Sequence, residues 1–280
     1  MKIIYKILQF LQFSFLQDLY LILLKIVLWL MNYWIWTEQN GEKKVLKIIN
    51  NYLKKLEWKP IIFDVWANKW QYLRDINQLI DSPSVIFSFE PIKDTFNSLK
   101  ENTTYKSIHD INLINVWLWA KNETQNIYFS NFWDDPDNSC ASILKDNITN
   151  FVDSKISNTE VAITTIDNFC KKNNISHIDF LKIDIEWYEL DCIKWARNMI
   201  NSLNIDIIQL EHNRCAIASR TFFRDYWDIF SENYIICRPL ANNKWLYQIK
   251  KYDIYLENFT YINYVFIKKD IYKKILLKND

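Results

Sequence analysis

Glycine is almost absent from this chain. Its 280 residues include one glycine, Gly41, and 13 tryptophans, whereas an average composition of about 7% glycine would supply roughly 20. Glycine serves where the backbone takes a positive φ angle or must approach a ligand closely, and tryptophan can do neither. The deficit excludes an ordinary set of turns for a domain of this size, unless some of the tryptophans occupy positions that belong to glycine.

Signals for a metal centre or a polyanion-binding surface are also missing. The chain has three histidines and five cysteines, and no two cysteines form a CxxC pair. Neither a zinc site nor a disulfide framework is indicated, no metal is expected, and reduced thiols in a cytoplasmic protein are the default. The net charge of +1 argues against a broad surface for nucleic acid, so no nucleic-acid partner is expected.

An apolar segment opens the chain. Residues 1–36 are strongly apolar, but Asp18 and Lys25 interrupt the run. A membrane span needs about 20 apolar residues with few charges, and the segment lacks the small-residue cleavage site of a signal peptide. We expect residues 1–57 to form an apolar helical extension, which packs on the domain or makes peripheral contact with a membrane through residues 1–36. A true span is the alternative.

Buried strands and intervening helices predict an α/β domain over residues 58–270, followed by a basic tail at 271–280. Apolar runs bounded by turn residues fit strands that are buried on both faces of a parallel sheet. Such runs occur at 61–65, 84–89, 113–117, 180–185, 205–210, 234–237, 244–249 and 261–267, and helical spacing occurs at 42–56 and 222–230. Residues 130–160 show little periodicity and are expected to form a long loop, either a lid or a disordered segment.

Charged residues cluster where two of these strands should end. Lys182, Asp184 and Glu186 stand where one buried run should end, and His212 follows the next run. Because ligands in open α/β sheets bind beyond the carboxyl ends of the strands, Asp184 and Glu186 are placed for chemistry; a solvated strand end with a helix N-cap is the alternative. His212 could act as a general base, since imidazole titrates near neutral pH, or it could be structural.

A further carboxylate, Glu90, ends the second predicted strand. It follows the turn at residues 66–70 at a distance of about 20 residues, where an acidic side chain can accept hydrogen bonds from ribose hydroxyls. Glu90 is therefore a candidate ligand of a nucleotide cofactor. The alternative interpretation is an exposed charge at a strand end.

Several segments resemble the FkbM family of S-adenosylmethionine-dependent methyltransferases. They read KIDIEWYEL at 182–190, preceded by TTIDNF at 164–169, DVWANKW at 64–70 and NVWLWAKNETQNIYF at 115–129. A GE dipeptide before a helix, at 41–42, and YLENFTYINYVFI at 255–267 extend the resemblance over residues 32–267. The resemblance implies a Rossmann-like class I methyltransferase fold: a seven-stranded, mostly parallel sheet with helices on both faces and an antiparallel last strand.

The resemblance also implies a cofactor, a reaction and the residues for both. S-adenosylmethionine is the expected cofactor, and the residues at the corresponding cofactor-binding positions are Asp64, Trp66, Asn68, Trp70, Glu90, Val116, Trp117 and Asp184. The expected reaction is methyl transfer to a hydroxyl of a glycan or natural product, by an in-line displacement that depends on holding two atoms in line. Asp184 is the first candidate for the catalytic centre, with Glu186, Lys182 and His212 as alternates.

Tryptophan recurs where the family pattern or turn chemistry has glycine. At least seven of the 13 stand at such positions: Trp66, Trp70, Trp117, Trp119, Trp187, Trp195 and Trp245. One hypothesis is that UGA codons for glycine have been translated as tryptophan, whereas Trp227 fits as a true aromatic residue.

Two other function classes stay open. The first is a degenerate, non-catalytic Rossmann-like binding module, which the tryptophans favour if they are real. The second is a nicotinamide-dependent oxidoreductase, which shares the sheet and the acidic residue after the second strand. Such an enzyme would need G-x-G-x-x-G after the first strand, whereas glycine at positions 66 and 70 gives D-x-G-x-x-x-G.

Overall fold

The computed structural model describes residues 17–30, 41–104, 106–131, 139–143, 145, 156–240 and 246–276. Its helices are α1 Gln17–Leu30, α2 Glu42–Leu53, α3 Gln71–Leu79, α4 Lys93–Asn102, α5 Ile166–Lys172, α6 Glu189–Trp195, α7 Arg197–Asn201, α8 Cys215–Ala218, α9 Phe223–Phe230 and α10 Lys269–Leu276. Its strands are β1 Ile61–Val65, β2 Val85–Phe89, β3 Asp110–Ile114, β4 Trp117–Leu118, β5 Glu123–Asn131, β6 Ser139–Ser142, β7 Ser157–Thr164, β8 Ile178–Ile183, β9 Ile205–His212, β10 Tyr234–Arg238, β11 Tyr247–Ile249 and β12 Ile262–Lys268.

The larger sheet contains eight strands in the order β11-β10-β12-β9-β8-β1-β2-β3. Strands β3, β2, β1, β8 and β9 are parallel, whereas β12 runs antiparallel to both of its neighbours, β9 and β10. The expected α/β architecture and the reversed last strand are confirmed. The expected count of seven strands is wrong, because β11 folds back on β10 and adds an antiparallel strand at the edge of the sheet.

The strands are buried on both faces, and each face carries its own apolar core. Because successive side chains of a strand point to opposite faces, Phe63 and Leu181 belong to one core and Ile62 and Phe180 to the other. Helices α5, α6 and α9 pack on the first face, and α2, α3 and α10 pack on the second. Helices therefore cover both faces, as predicted, and the ends of the strands are left for ligands.

Helix α2 crosses the second face from one end of the strands to the other. It buries Val45, Leu46, Ile49 and Leu53, whose spacing forms one apolar stripe. The first residue of the helix, Glu42, lies near the carboxyl end of β8, and its last turn lies near the amino end of β9. The segment before the first strand is thereby built into the domain.

A smaller sheet of four strands, in the order β4-β7-β5-β6, lies between β3 and α5 in the chain. The predicted strand at 113–117 is wrong in its end, because β3 stops at Ile114 and Trp117 opens β4 of the smaller sheet. The predicted loop at 130–160 is wrong where the structure describes it, because β6 and the first half of β7 fall there. Residues 132–138, 144 and 146–155 lie outside the described residues.

Helix α1 presents apolar side chains around its circumference. Eight of its Leu, Ile and Val residues are about half exposed or more: Leu19, Leu21, Ile22, Leu23, Leu24, Ile26, Val27 and Leu30. Leu28 packs against the edge of the first core. Within the described part of the chain, no helix combines the length and the apolar character that crossing a membrane requires.

Candidate active site

The turn after β1 takes a backbone conformation that suits glycine. Trp66, Asn68 and Trp70 have φ angles of 73°, 52° and 154°. The amides of Trp66 and Ala67 both donate to the carbonyl of Phe89, at 2.9 and 2.8 Å, and so fix the turn against the end of β2. Asparagine tolerates the left-handed region, but a bulky residue there is a genuine outlier. Two of the predicted cofactor-binding positions therefore hold tryptophan where the backbone favours glycine.

Glu90 is buried beside this turn. Its side chain is 1% exposed, so it is not an exposed strand-end charge. Its Oε2 accepts a hydrogen bond from the amide of Asn68 at 3.0 Å, and its Oε1 accepts one from the amide of Ile92 at 2.9 Å. Burial raises the pKa of Glu90 to about 8, although both backbone hydrogen bonds oppose the rise. Each oxygen keeps a further lone pair, so the carboxylate can also accept hydroxyl groups.

Four aromatic rings form a cluster between this turn and the segment after β3. The ring of Trp66 meets Trp117 edge-on at 5.4 Å, Trp117 stacks on Trp119 at 5.2 Å, and Trp119 lies 5.1 Å from Tyr188. Trp117 is 1% exposed. The indole N–H groups of Trp117 and Trp119 are buried without an acceptor among the described residues. A tryptophan in a settled core normally finds such an acceptor.

The end of β8 brings Lys182 and Asp184 together. Lys182 Nζ lies 2.8 Å from Asp184 Oδ2, 3.7 Å from Glu42 Oε1 and 4.4 Å from the centre of the Tyr72 ring. Burial alone would lower the pKa of Lys182, but the charges of Asp184, Glu42 and Asp64 raise it above its ordinary value. The lysine is therefore a buried cation held between carboxylates, and Asp184 is the partly exposed member of the group.

A polar row crosses the sheet beneath α2 and α3. Asp64, Lys182 and Gln209 stand opposite one another in β1, β8 and β9. Asp64 is fully buried; Ser88 Oγ lies 3.5 Å from its Oδ2, and its Oδ1 has no hydrogen-bond partner in the described part of the chain. Burial raises the pKa of Asp64 to about 6. The hydroxyl of Tyr72 donates to Gln209 Oε1 at 3.3 Å, which continues the row.

The stretch after Asp184 is a second left-handed turn. Glu186 and Trp187 have φ angles of 40° and 89°, and helix α6 begins two residues later. The hydroxyl of Tyr188 lies 3.3 Å from Ser142 Oγ, which joins this turn to the smaller sheet. Trp187 thus repeats the pattern of the first turn, with an indole on a backbone that favours glycine.

His212 lies apart from this group. It is 1% exposed, and neither ring nitrogen has a hydrogen-bond partner among the residues described. The rings of Tyr226, Phe259 and Tyr264 surround it at 5.6–6.1 Å. Burial lowers its pKa to about 4, so the ring is neutral at physiological pH and a weak base. The structure does not bring His212 to Asp184. Tyr226, which packs against His212, belongs to the first core, whereas Asp184 pairs with Lys182 on the second face, beside α2.

Three further carboxylates near the site, of which Glu189 and Glu211 are buried and Glu42 is half-buried, were not singled out from the sequence. Glu42 opens α2, Glu189 opens α6, and Glu211 precedes His212 in β9. Glu211 is 6% exposed, and its Oε2 lacks a hydrogen-bond partner within the described ranges. Burial, followed by the charge of Asp184, raises the pKa of Glu211 well above its ordinary value. Strand alternation could have found Glu211, because it falls on the same face as Gln209.

The backbone of the site fits a nucleotide cofactor, and the indoles do not. Glu90 and the turn at 66–70 lie at the carboxyl ends of the central strands, which is the ligand-binding edge of such a sheet. Trp66 and Trp117 occupy the neighbouring space with packed rings. Val116, the remaining predicted cofactor-binding residue, lies directly before Trp117 and is half-buried. Tryptophan at positions 66 and 117 therefore puts packed rings next to the turn that a nucleotide cofactor would approach.

Solved structures with similar folds include three methyltransferases. One is a methyltransferase FkbM of Methylobacillus flagellatus KT, with 13% identity, a TM-score of 0.44 and coverage of 76% of this chain and 45% of that chain. A SAM-dependent methyltransferase of Agrobacterium tumefaciens has 9% identity and a TM-score of 0.42, and the match covers 84% of this chain and 63% of that chain. The plantazolicin methyltransferase BpumL, in complex with SAH, has 9% identity and a TM-score of 0.40, and the match covers 85% of this chain and 88% of that chain. This chain thus spans less than half of the Methylobacillus protein.

The family of the chain is identified from its sequence. No curated protein matches it. The sequence model of the methyltransferase FkbM domain matches residues 64–236, from the carboxylate of β1 to the middle of β10, and so includes both left-handed turns and Glu90. Because this match covers more than half of the chain, the protein belongs to the methyltransferase FkbM domain family.

Proposed function

We propose that the native chain carries glycine at positions 66, 70, 117, 119 and 187 and uses S-adenosylmethionine to methylate a hydroxyl group of a glycan or natural product. Membership of the FkbM family supports the reaction class. Glu90 supports the cofactor, because its carboxylate is buried at the expected ribose position and is held by two backbone amides. The single observation that carries the proposal is that the backbone around Glu90 favours glycine where tryptophan stands.

The φ angles support glycine at three of the five positions. Eight non-glycine residues among those described have a positive φ angle, and three of them are Trp66, Trp70 and Trp187. Holding a residue with a side chain in such regions costs of order 1–3 kcal/mol. These three positions also have glycine in the family pattern. Reading UGA as tryptophan instead of glycine produces this coincidence, whereas random substitution gives no reason for it.

Buried indole N–H groups without an acceptor support glycine at the other two positions. Trp117 and Trp119 have no positive φ angle; they bury indole N–H groups that lack an acceptor in the described part of the chain. Trp227 differs, because it lies in α9 and packs against Phe223 and Tyr252, each at 6.3 Å. We therefore propose that Trp227 is a genuine tryptophan. Trp195 is the half-exposed last residue of α6, and Trp245 lies outside the described residues.

Asp184 is the proposed acceptor of the hydroxyl proton. It is the partly exposed carboxylate at the carboxyl end of β8, and Lys182 holds it from below at 2.8 Å. Glu186 and Lys182 remain alternates at the same strand end, and His212 is disfavoured by its burial on the other side of the sheet. The absence of a large net charge supports a small-molecule or glycan acceptor rather than nucleic acid.

The location is proposed to be cytoplasmic, with peripheral membrane contact through residues 1–36. The exposed apolar side chains of α1 support contact with lipid. Flotation of the full chain with phospholipid vesicles tests this point, with the double variant Leu21→Asp and Leu24→Asp as comparison. Equal flotation of the two proteins would remove the membrane proposal and leave the methyltransferase proposal intact.

Calorimetric titration tests the proposed cofactor site. The chain with tryptophan is compared with a version carrying Trp66→Gly, Trp70→Gly, Trp117→Gly, Trp119→Gly and Trp187→Gly, each titrated with S-adenosylhomocysteine and with NAD. We expect the glycine version to bind S-adenosylhomocysteine with a Kd between about 1 μM and 1 mM, and the tryptophan version not to bind. Binding of NAD alone would favour an oxidoreductase, and no binding by either version would favour a non-catalytic module.

A further inference from the structure

Helix α2 places a carboxylate at the site from outside the matched domain. The family match begins at residue 64. Glu42 is the first residue of α2, which precedes the match, and it lies against the end of β8. Gly41, just before it, has a φ angle of 89°, and a Cβ atom there would collide with the ring of Pro239. The ammonium of Lys44 donates to the carbonyl of Leu240. The start of α2 is thus fixed against the segment after β10.

Glu42 and Asp184 hold the same cation. Lys182 Nζ lies 3.7 Å from Glu42 Oε1 and 2.8 Å from Asp184 Oδ2. The side chain of Lys182 is 5% exposed and that of Glu42 is 16% exposed, so solvent screens the pair little. The ring of Tyr72 closes the space below the ammonium. Lys182 is therefore held in one place by groups on α2, on α3 and at the end of β8.

Removing Glu42 would change this arrangement in a definite way. The charge of Glu42 acts on Lys182, Asp64 and Glu211 in the same sense, by favouring the protonated form of each. Without it, Lys182 would keep Asp184 and Asp64 as its only neighbouring carboxylates among those that act on it. A cation with fewer partners in a buried place is free to shift toward the partner that remains. The position of Asp184 would then follow.

We infer that Glu42 is a positioning residue of the methyltransferase site, which fixes Lys182 and through it Asp184. The inference rests on the proposed function, and it extends the site beyond the residues that the domain match includes. Gly41 is part of the same device, because it permits the helix start that places Glu42. The competing explanation is a purely structural ion pair that docks α2 onto the sheet.

The experiment compares Glu42→Gln with Glu57→Gln in the full chain carrying glycine at the five positions. Glu57 is an exposed residue between α2 and β1, so its substitution makes the same chemical change away from Lys182. We expect Glu42→Gln to weaken S-adenosylhomocysteine binding about tenfold, Glu42→Asp to recover part of the loss, and Glu57→Gln to have no effect. The double variant Glu42→Gln with Lys182→Gln should bind no more weakly than Lys182→Gln alone.

The pH dependence of binding separates positioning from docking. The groups facing Lys182 are Glu42 from α2, Tyr72 from α3, Asp64 from β1 and Asp184 after β8. Because the charge of Glu42 raises the pKa of Asp64, Glu42→Gln should move the acid limb of the binding profile to lower pH. If Glu42 only docked α2 onto the sheet, Glu42→Gln would lower the free energy of unfolding and leave this limb in place. An unmoved limb with unchanged affinity overturns the inference.

Failure of the proposed function would be visible separately. If the unsubstituted glycine protein binds no S-adenosylhomocysteine, the proposed function fails, and urea unfolding of the two single variants and the double variant then tests the link between Glu42 and Lys182. Coupling between the two substitutions supports the link, and additive effects overturn it.

Discussion

The buried polar groups at the two ends of the central strands differ in their hydrogen bonding. At the amino ends of β8 and β9, Asp206 accepts hydrogen bonds from Tyr52, His177 and Lys268, and Asp179 accepts the amide of Ile61 at 2.7 Å. At the carboxyl ends, oxygens of Asp64 and Glu211 and both nitrogens of His212 have no partner among the described residues. The clusters at the amino ends of β8 and β9 are thus hydrogen-bonded, whereas several buried polar atoms at the carboxyl ends of β1 and β9 have no partner in the described part of the chain.

This difference distinguishes a structural cluster from a candidate ligand-binding site. Buried polar groups in native proteins are almost always hydrogen-bonded, so each exception calls for an explanation such as a missing ligand. His177, Asp179 and Asp206 are also the one group of three potential metal ligands found in the described residues. Their atoms already serve each other, Lys268 and the backbone, which identifies a structural network. The carboxyl ends carry the groups that a ligand would complete.

The largest expected effect comes from breaking the satisfied end. Asp206→Asn leaves Lys268 and His177 without their charged partner in a buried place, and loss of one member of a buried pair costs about 3–5 kcal/mol. Asp64→Asn should change the free energy of unfolding by less than about 1 kcal/mol, because burial already disfavours its charge. Urea unfolding at pH 7 measures both. Equal losses in the two variants would contradict the contrast between the two ends.

A smaller effect is expected from the pH dependence of Glu90. Its pKa is about 8 in the folded protein against 4.5 as the ordinary value, so the folded state binds the proton more tightly and the free energy of unfolding falls as pH rises between these values. By linkage these two values correspond to about 4–5 kcal/mol at pH 8.5. Glu90→Gln removes this dependence but leaves one of the two backbone amides without an acceptor, so it should stabilise the protein by about 2 kcal/mol at pH 8.5 and destabilise it by about 2 kcal/mol at pH 4.5. Unfolding at the two pH values checks it; a loss of stability at pH 8.5 would show that Glu90 is well satisfied.

The smallest expected effect concerns the tryptophans themselves. Trp66→Gly relieves a φ angle of 73° while losing ring contacts, so the free energy of unfolding should change by less than about 1 kcal/mol. Trp227→Gly loses packing and helix propensity in α9 and should cost about 2 kcal/mol. Thermal unfolding of both variants makes the comparison. If Trp66→Gly costs as much as Trp227→Gly, Trp66 is a settled core residue.

Much of the fold could be predicted because the central strands are continuous apolar runs. The segments at 61–65 and 205–210 read directly as buried strands, and β1 and β9 are there. The smaller sheet escaped prediction because β5 and β6 are rich in Asn, Ser and Thr, whose alternation is weak. The edge strand β11 lies inside the predicted run at 244–249. Its antiparallel pairing with β10, which brings the sheet to eight strands, has no signal in the sequence.

The site was predicted in part, and what was missed depends on tertiary packing. Glu90 and Asp184 follow strands and could be placed by the rule for strand ends. Glu42 could not, because nothing in the order of residues indicates that the start of α2 lies over Lys182. His212 satisfied the same rule as Asp184, yet its side chain faces the other side of the sheet, since one residue along a strand reverses the face.

Peptide sequencing by mass spectrometry of the protein purified from its native cells tests the central claim most directly. The account predicts glycine at positions 66, 70 and 187, where the backbone is left-handed, and tryptophan at position 227 in α9. Tryptophan at all four positions would contradict it, because packed rings would then stand next to the turn that a nucleotide cofactor would approach in the native protein.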